Sequence, residues 1–498
     1  MLLAVLLALL AAAPAGAAPV LVLGHDGKVR AREDRLLPPP DPLPRRAGPV
    51  SRAAAAKPEG PTVAAELDRL VAEGALDAAT AAGYRDAYDQ AKATLRKLSG
   101  YRRAQLKNVL SNVDAAASGG LFLPSRLPAL FLTLQRNRAW WAASPIPAPG
   151  RRVEFAGSRL VWQHYPGQGL QIQWLGTFGK ANAYWQGKVY DDDLRALLDE
   201  ALGLATQRAG GIAWEYLFKF DGGRPPWVSG LAQGTALSAF SRAAVRLGET
   251  RYFDAARSAL GIFREPPPAG VRVATPVGAH YLQYSFAPKL RIENGFVQSL
   301  NGLNDFAALA NDEEGRALFA AGEAQLRAEL PTFDTGAWSL YSRLAGVPLE
   351  SDLGYHKLLR DFLLGLCTRL SEAPARAAGV DPAPYCATAD RFTADLVTAP
   401  TLRVEPQTLR QKGSGAIRFT LSKVSTVSVT IVRAGKVVLA RSARLGYGDH
   451  KVGFRPKDAG PHQVRLRAVD LAGNVGTAAA ELAVRPAKRR AHRPPGDV

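Results

Sequence analysis

After its first eighteen residues the chain has no apolar run of the roughly 18 positions that a bilayer crossing requires, so no later segment reads as a membrane span. Cysteine is nearly absent: Cys367 and Cys386 are the only two, and with seven scattered histidines they give no metal-ligand spacing, so no metal is expected. The two thiols fit one disulfide in an exported protein, and equally one buried thiol and one loop thiol. Also missing are a Ser/His/Asp signature, a phosphate-binding loop and a GxGxxG turn. Neither a nucleophile triad nor a nucleotide cofactor is therefore read, and no cofactor is expected.

What is present starts with "MLLAVLLALLAAAPAGAAP", an apolar run closing in small residues. It reads as a signal peptide over 1–18, cut near Ala17 or Ala18, which would make the mature chain secreted or cell-envelope. No Lys or Arg precedes the run, which keeps an uncleaved anchor as the other reading. The 498 residues, 47% apolar, have room for two to four domains. A formal charge of +19 favours an anionic partner. Export makes nucleic acid the poorest fit and an acidic polysaccharide or cell-envelope surface a better one.

Residues 19–60 read as a Pro/Ala-rich linker. From 61 to 150 apolar residues recur at three- and four-residue steps, a helical pattern in which Ser125 stands as an N-cap before "LPALFLTL". Residues 151 to about 190 are punctuated by glycine and alternate in stretches such as "GLQIQWLG", which predicts short strands and loops. Helical stripes then return: Leu237, Phe240, Ala244 and Leu247; Phe296, Leu300, Leu303 and Ala307; Leu359, Phe362, Leu363, Leu366 and Leu370. Such a series predicts helices packed in pairs or in a ring. Residues 400–486 alternate apolar and polar with turns at "RAGK" and "LAGN", predicting an immunoglobulin-like β-sandwich for attachment or spacing. Residues 487–498 read as a basic disordered tail.

Chemistry-bearing residues gather in "GAHYLQYSFAPKLRIENGF", "FDTGAWSLYSR" and "LGYHKLL". These hold His280, Gln283, Tyr284, Asn294, Tyr341, Arg343, Tyr355 and His356; upstream, Gln233 sits in a Gly-bounded turn. Any one tyrosine at a helix start reads as packing. Trp140 and Trp141 read as core or as sugar-stacking rings, and His164 with Tyr165 as a cleft lining or a plain turn. Asn294 reads as an N-cap or a ligand, and Asp334 as a turn former or a base.

The order "Y-x-Q-Y", "NGF-x-x-SL-x-GL-x-D", "DTGAWSLY", "YH" resembles the C-terminal catalytic domain of the D-glucuronyl C5-epimerases. "PPWVSGLAQGTALSAFSRA" and "YPGQGLQIQWLG" are similar to further blocks of that family, together covering about Tyr165 to Leu370. The resemblance implies an epimerase-like domain over 151–395. The expected fold is thus multidomain α+β: a helical (α/α) toroid with preceding helices and a short β segment, followed by the sandwich. The resemblance also implies a homodimer and inversion of C5 in glucuronate residues of a heparosan-type polysaccharide. Two acid/base groups must flank the sugar while donors mask its carboxylate. Tyr284, Tyr341 and Tyr355 fall at the family's active-site tyrosines, with Gln283, Arg343, His356, Gln233, Asn294, Tyr165 and His280 as substrate-binding candidates. Two departures stand out. Tyr341 and Tyr355 lie four residues closer together than is usual, and Gln283 occupies the place of a family carboxylate. Glu293 or His280 are stand-ins for that missing base. A uronate lyase and an inactive acidic-glycan-binding protein are the alternative readings.

Overall fold

The computed structural model describes residues 18–37, 60–372, 379–405 and 407–487. The signal segment up to residue 17, the middle of the expected linker and the tail from 488 lie outside these residues. The protein is mixed α and β and divides into two compact units: 1–290 with 295–326, and 291–294 with 327–498.

In the first unit, β1 (Ala18–Leu23) and β2 (Val29–Asp34) pair as a hairpin, and β3 (Arg152–Phe155), β4 (Trp162–Tyr165) and β5 (Gly169–Ile172) complete a sheet ordered β2-β1-β3-β4-β5. The span read as linker therefore begins as sheet. "VLVLGHDGKVRARED" alternates on either side of a turn in which Gly27 takes φ +73°, open to glycine without strain. Asp34 then joins Glu154 around the buried Lys180, whose ammonium lies 2.6 Å from Glu154 and 3.5 Å from Asp34.

Helices α1 (Val63–Ala72), α2 (Ala78–Lys97), α3 (Gly100–Ser118) and α4 (Leu127–Ala143) follow the predicted periodicity. Thr62 and Asp77 cap the first two, accepting from Ala65 N at 3.2 Å and Thr80 N at 2.8 Å, contacts worth about 1 kcal/mol each. Ser125 does not cap α4. Its hydroxyl accepts from Gln207 N, while a turn through Leu123 and Arg126 starts the helix. Trp140 and Trp141 are fully buried, which settles them as core.

The stretch after Gln173 was expected as strand and loop but forms α5 (Trp174–Gly187), capped when the Gln173 side chain accepts from Gly176 N at 2.6 Å. Gly176 lies against Val161, where a Cβ would come within 3.2 Å, so this glycine serves packing and not a turn. Next come α6 (Asp191–Leu202), the β6–β7 hairpin (Thr206–Arg208, Gly211–Ala213), α7 (Gly230–Leu247), α8 (Arg251–Ser258), the short α9 (Gly261–Arg264) and the β8–β9 hairpin (Arg272–Ala274, Ala279–Tyr281). Helix α5 packs on α7, and α7 on α8. Beyond β10 (Leu290–Ile292) lie α10 (Glu293–Leu309) and α11 (Glu313–Glu329). Gly302 of α10 meets the carbonyl of Gly234 on α7 so closely that a Cβ would sit 1.9 Å from it.

In the second unit β11 (Leu340–Leu344) lies between β10 and β12 (Val347–Glu350). It is followed by α12 (Leu353–Ser371) and a helix over Ala383–Asp395. A disulfide joins Cys367 to Cys386 across these two helices, resolving the open reading of the thiols. His356, expected to bind substrate, is instead a packing residue. It is fully buried and stacks on Trp338 with centroids 3.6 Å apart and planes 6° from parallel. Its Nδ1 accepts from Ser339 N at 3.2 Å, and its Nε2 lies 2.9 Å from the Phe392 carbonyl, so both nitrogens are used.

The C-terminal part follows the predicted alternation. β13 (Leu402–Val404), β15 (Gly415–Leu421) and β18 (Gly448–Phe454) make one sheet. β14 (Gln407–Arg410), β16 (Ser425–Arg433), β17 (Lys436–Leu445), β19 (Gly460–Asp470) and β20 (Val475–Arg485) make the other, ordered β14-β20-β19-β16-β17. Inward residues such as Ile417, Phe419, Val429 and Leu466 form one core between them. Lys423, 1% exposed, ties this core to the helical part. It pairs with Asp470 at 2.7 Å and donates to the Asp395 carbonyl at 2.7 Å.

Burial holds the His356 imidazole neutral and lowers its pKa to about 4. The unfolded side chain titrates near 6.5, so between those values protons bind the unfolded chain preferentially. Stability supplied by His356 is complete above about pH 6.5 and falls by up to about 3 kcal/mol as pH drops toward 4. Burial and Asp334 raise the Asp395 carboxyl to about 6, which opposes this trend over the same range. The difference in urea midpoint between the protein and His356→Gln, followed from pH 7 to 4, isolates the histidine and should shrink with acidification. Replacing both cysteines by serine should destabilise the second unit by about 3 kcal/mol, read as a lower urea midpoint that reductant does not lower further.

Candidate functional site

Alternation along β11 puts Tyr341 and Arg343 on one face, on either side of the buried Ser342. The Asp352 carboxylate accepts from Tyr355 N at 2.9 Å and starts α12 there, which fixes Tyr355 in the first turn. The two phenol rings meet with centroids 4.3 Å apart and planes at 37°. Both are half-buried, and so is Arg343. Among the described residues Arg343 makes no ion pair or hydrogen bond. A guanidinium beside two phenols, with no carboxylate in salt-bridge contact among the described residues, is suited to a carboxylate ligand.

Behind this face lies a second set of charges. Glu293, the first residue of α10, has no exposed surface. Burial first, and then the nearby Glu329, push its carboxyl well above the usual carboxylate range, while Arg343 pulls it back. Burial likewise lowers the Arg291 guanidinium, against the pull of Glu329. Two neighbouring carboxyls in a dry setting do not both ionise easily, which favours the protonated form of Glu293. Asn294 follows at 2% exposure, and neither of its amide atoms has a hydrogen-bond partner among the described residues. As the second residue of α10 it is inside the helix and is not its cap.

In the first unit, Tyr284 belongs to an aromatic box with Phe220, Trp227 and Phe286, at 5.8, 5.7 and 5.2 Å between centroids. Gln283 donates from Nε2 to the Tyr284 hydroxyl at 2.8 Å, and its carbonyl oxygen is buried without a partner among the described residues. Tyr165 leans on Phe218 of the same box. Burial and the neighbouring Tyr216 and Tyr284 hydroxyls push its phenol well above the ordinary value.

Other candidates fall inside the core. Gln233 is fully buried and clamps the Trp214 backbone, donating to its carbonyl at 2.9 Å and accepting from its N–H at 3.4 Å. That is a structural role in place of the expected substrate contact. His280 is fully buried against Phe296, with centroids 4.2 Å apart. His164 is also buried, with Nδ1 3.1 Å from the Ala148 carbonyl. Asp334 holds a turn by accepting from Gly336 N at 2.8 Å, and it pairs with Arg391. Glu329 was not among the sequence candidates. It ends a helix 36 residues beyond Glu293, and no local pattern announces their meeting. Among the described residues no group of three His, Cys, Asp or Glu side chains is arranged to hold a metal ion. No described helix is long and apolar enough to cross a membrane.

Comparison with known proteins bears on these residues directly. Residues 208–372 match the family described as D-glucuronyl C5-epimerase C-terminus. A D-glucuronyl C5-epimerase of Caenorhabditis elegans is 34% identical over 130 residues, 24% of this chain and 21% of that protein. An uncharacterized protein of Methanocaldococcus jannaschii is 25% identical over 140 residues, 27% of this chain and 46% of its own. The chain thus spans about a fifth of one relative and under half of the other. Among solved structures, a superoxide reductase (neelaredoxin) from Ignicoccus hospitalis aligns at 12% identity over 18% of this chain and 81% of its own, with a TM-score of 0.15, and carries no argument. Both half-buried phenols, Arg343, Glu293 and Glu329 lie inside residues 208–372, the span that is similar to the C-terminus of the D-glucuronyl C5-epimerases.

Proposed function

We propose that the protein is an exported epimerase that inverts C5 of glucuronate residues in an acidic polysaccharide. The observation that carries this reading is the Tyr341–Tyr355 pair beside an unpaired Arg343. In the reaction a phenolate removes the proton on C5, and the electron pair moves into the neighbouring carboxylate. A phenol or carboxyl group then returns a proton to C5 on the opposite face. One C–H bond breaks as an O–H bond forms on the base, and one O–H bond breaks on the acid as the new C–H forms, so no oxidant or reductant is involved. The step is reachable only if the uronate charge is masked. Arg343 is suited to that by a charge-assisted, bidentate hydrogen bond.

Glu293 is a positioning residue in this account. A neutral carboxyl leaves the Arg343 charge uncancelled and available to the uronate. An ionised one would compete with the substrate for the same guanidinium. The chain thus has Gln283 where the family has a carboxylate, and carries at Glu293 a carboxyl whose titration is raised by burial and by Glu329. Tyr284 keeps the catalytic role implied by resemblance, with the Gln283 amide supporting its hydroxyl. Under the same reading the paired helices belong to an (α/α) ring, and the chain forms a homodimer. The Cys367–Cys386 bridge supports an oxidising compartment outside the cytoplasm, secreted or at the cell envelope.

Incubating the protein with a glucuronate polymer in heavy water should place deuterium at C5 without shortening the chain. Chain cleavage with an unsaturated, ultraviolet-absorbing uronate would mean a lyase, and neither product would leave only binding. Tyr341→Phe should cut exchange by 10²- to 10⁴-fold or thereabouts. Arg343→Ala should lower kcat/KM by roughly 10- to 150-fold. With the wild type, exchange should fall as pH rises through the elevated Glu293 titration, because ionised Glu293 cancels Arg343. Glu293→Gln should remove that alkaline fall while retaining activity, whereas an unchanged profile would count against the role given to Glu293.

A further inference from the structure

Residues 401–485 carry fifteen Lys and Arg against five Asp and Glu, more than half of the chain's +19 in about a sixth of its length. The excess is not spread evenly. On the outer face of the five-stranded sheet, Arg465 and Arg467 of β19 are exposed, while Val464, Leu466 and Ala468 between them point into the core. The register surrounds these two arginines with small side chains. Arg467 lies between Ser428 and Thr477, and Arg465 between Thr430 and Ala479, with Ser442 and Ala440 one strand further out. Arg444 extends the face across Thr426, and Arg410 and Arg485, paired directly in register, extend it at the other end.

Among the described residues none of these five arginines forms an ion pair, and Arg465 only donates to Gln463 at 2.9 Å. Among the described residues Glu481, opposite Gln463, is the carboxylate in register on the face, and Glu350 lies within electrostatic reach of Arg444 at its edge. Arg410 and Arg485, the one directly opposed pair among these five, repel each other, and an anion covering the face would relieve that repulsion. Strands about 4.8 Å apart and outward residues about 7 Å apart along each strand spread the guanidinium groups over a flat, low surface. Among the described residues no aromatic side chain stands on it for stacking on sugar rings, which leaves charge as the means of recognition.

We infer that the outer face of the five-stranded sheet, centred on Arg465 and Arg467, is a second docking site for the anionic uronate polysaccharide. The choice of polymer rests on the proposed function, since that reading already places a uronate polymer at the chain's other site. Two sites on one chain convert later encounters with the same polymer into local ones, raising avidity without new chemistry. An anionic membrane is the competing partner. The apolar side chains on this face, such as Val432, Val469 and Val475, are short and supply no aromatic wedge, so it fits that partner less well.

The test compares the full chain with an Arg444→Ser, Arg465→Ser, Arg467→Ser variant, measuring affinity for heparosan between about 50 and 300 mM salt, over which the screening length falls by somewhat more than half. A short uronate oligosaccharide serves as substrate for turnover in parallel. The variant should bind the polymer about tenfold more weakly and show a log-affinity against log-salt slope smaller by about two to three, because fewer counterions are released. Its C5 exchange on the oligosaccharide should be unchanged. Equal affinity and slope in the two proteins would overturn the proposal. So would retention on vesicles of anionic phospholipid, lost in the variant, with no change on heparosan. Salt-sensitive binding lost in the variant, from a protein that exchanges no deuterium, would sink the epimerase reading and leave this one standing.

Discussion

The stack of Trp338 on His356 fixes the geometry on which the second unit's chemistry depends. Trp338 stands three residues before Tyr341, and His356 one residue after Tyr355, so holding the two rings together brings the two phenols together as well. The contact is reinforced from every side. Ser339 donates to Nδ1, the Phe392 carbonyl takes Nε2, and the Lys423 ammonium sits 5.3 Å from the Trp338 ring. An imidazole used this way cannot double as a charged ligand, because its burial keeps it neutral.

The same scaffold joins the helical part of the unit to the sandwich. Lys423 bridges Asp470 and the end of the Ala383–Asp395 helix, and Glu350 of β12 accepts from Val424 N and Tyr447 N. Asn474 adds a bond to the Leu396 carbonyl. Paired and hydrogen-bonded buried charges specify one arrangement more than they stabilise it, since desolvation offsets much of their attraction. The basic sheet face is thus carried on a body that also holds the phenol pair.

Much of this was readable in the sequence. The stripe Leu359, Leu363, Leu366 and Leu370 is the buried face of α12, and the alternation of 415–421 and 425–433 is the sandwich core. What failed shares a cause: local pattern does not show tertiary partners. Gly176 in "WLGTFGKANAYWQG" looked like loop punctuation but lets α5 lie close against Val161. Gln233 and His356 looked like site residues for their polarity among aromatics, yet each satisfies backbone groups of its own core. The reverse holds for Glu293. It was noticed only as a stand-in, and its character comes from burial and from Glu329, a residue the sequence places far away.

Under the proposed function, Tyr341 and Tyr355 face one uronate ring whose carboxylate rests on Arg343. The most direct measurement is a crystal structure of the full chain soaked with a glucuronate oligosaccharide. The account predicts a uronate C5 about 3 to 3.5 Å from one of the two hydroxyls, with the carboxylate hydrogen-bonded to the Arg343 guanidinium. A uronate bound elsewhere, or held with C5 turned away from both phenols and Arg343 unengaged, would contradict it.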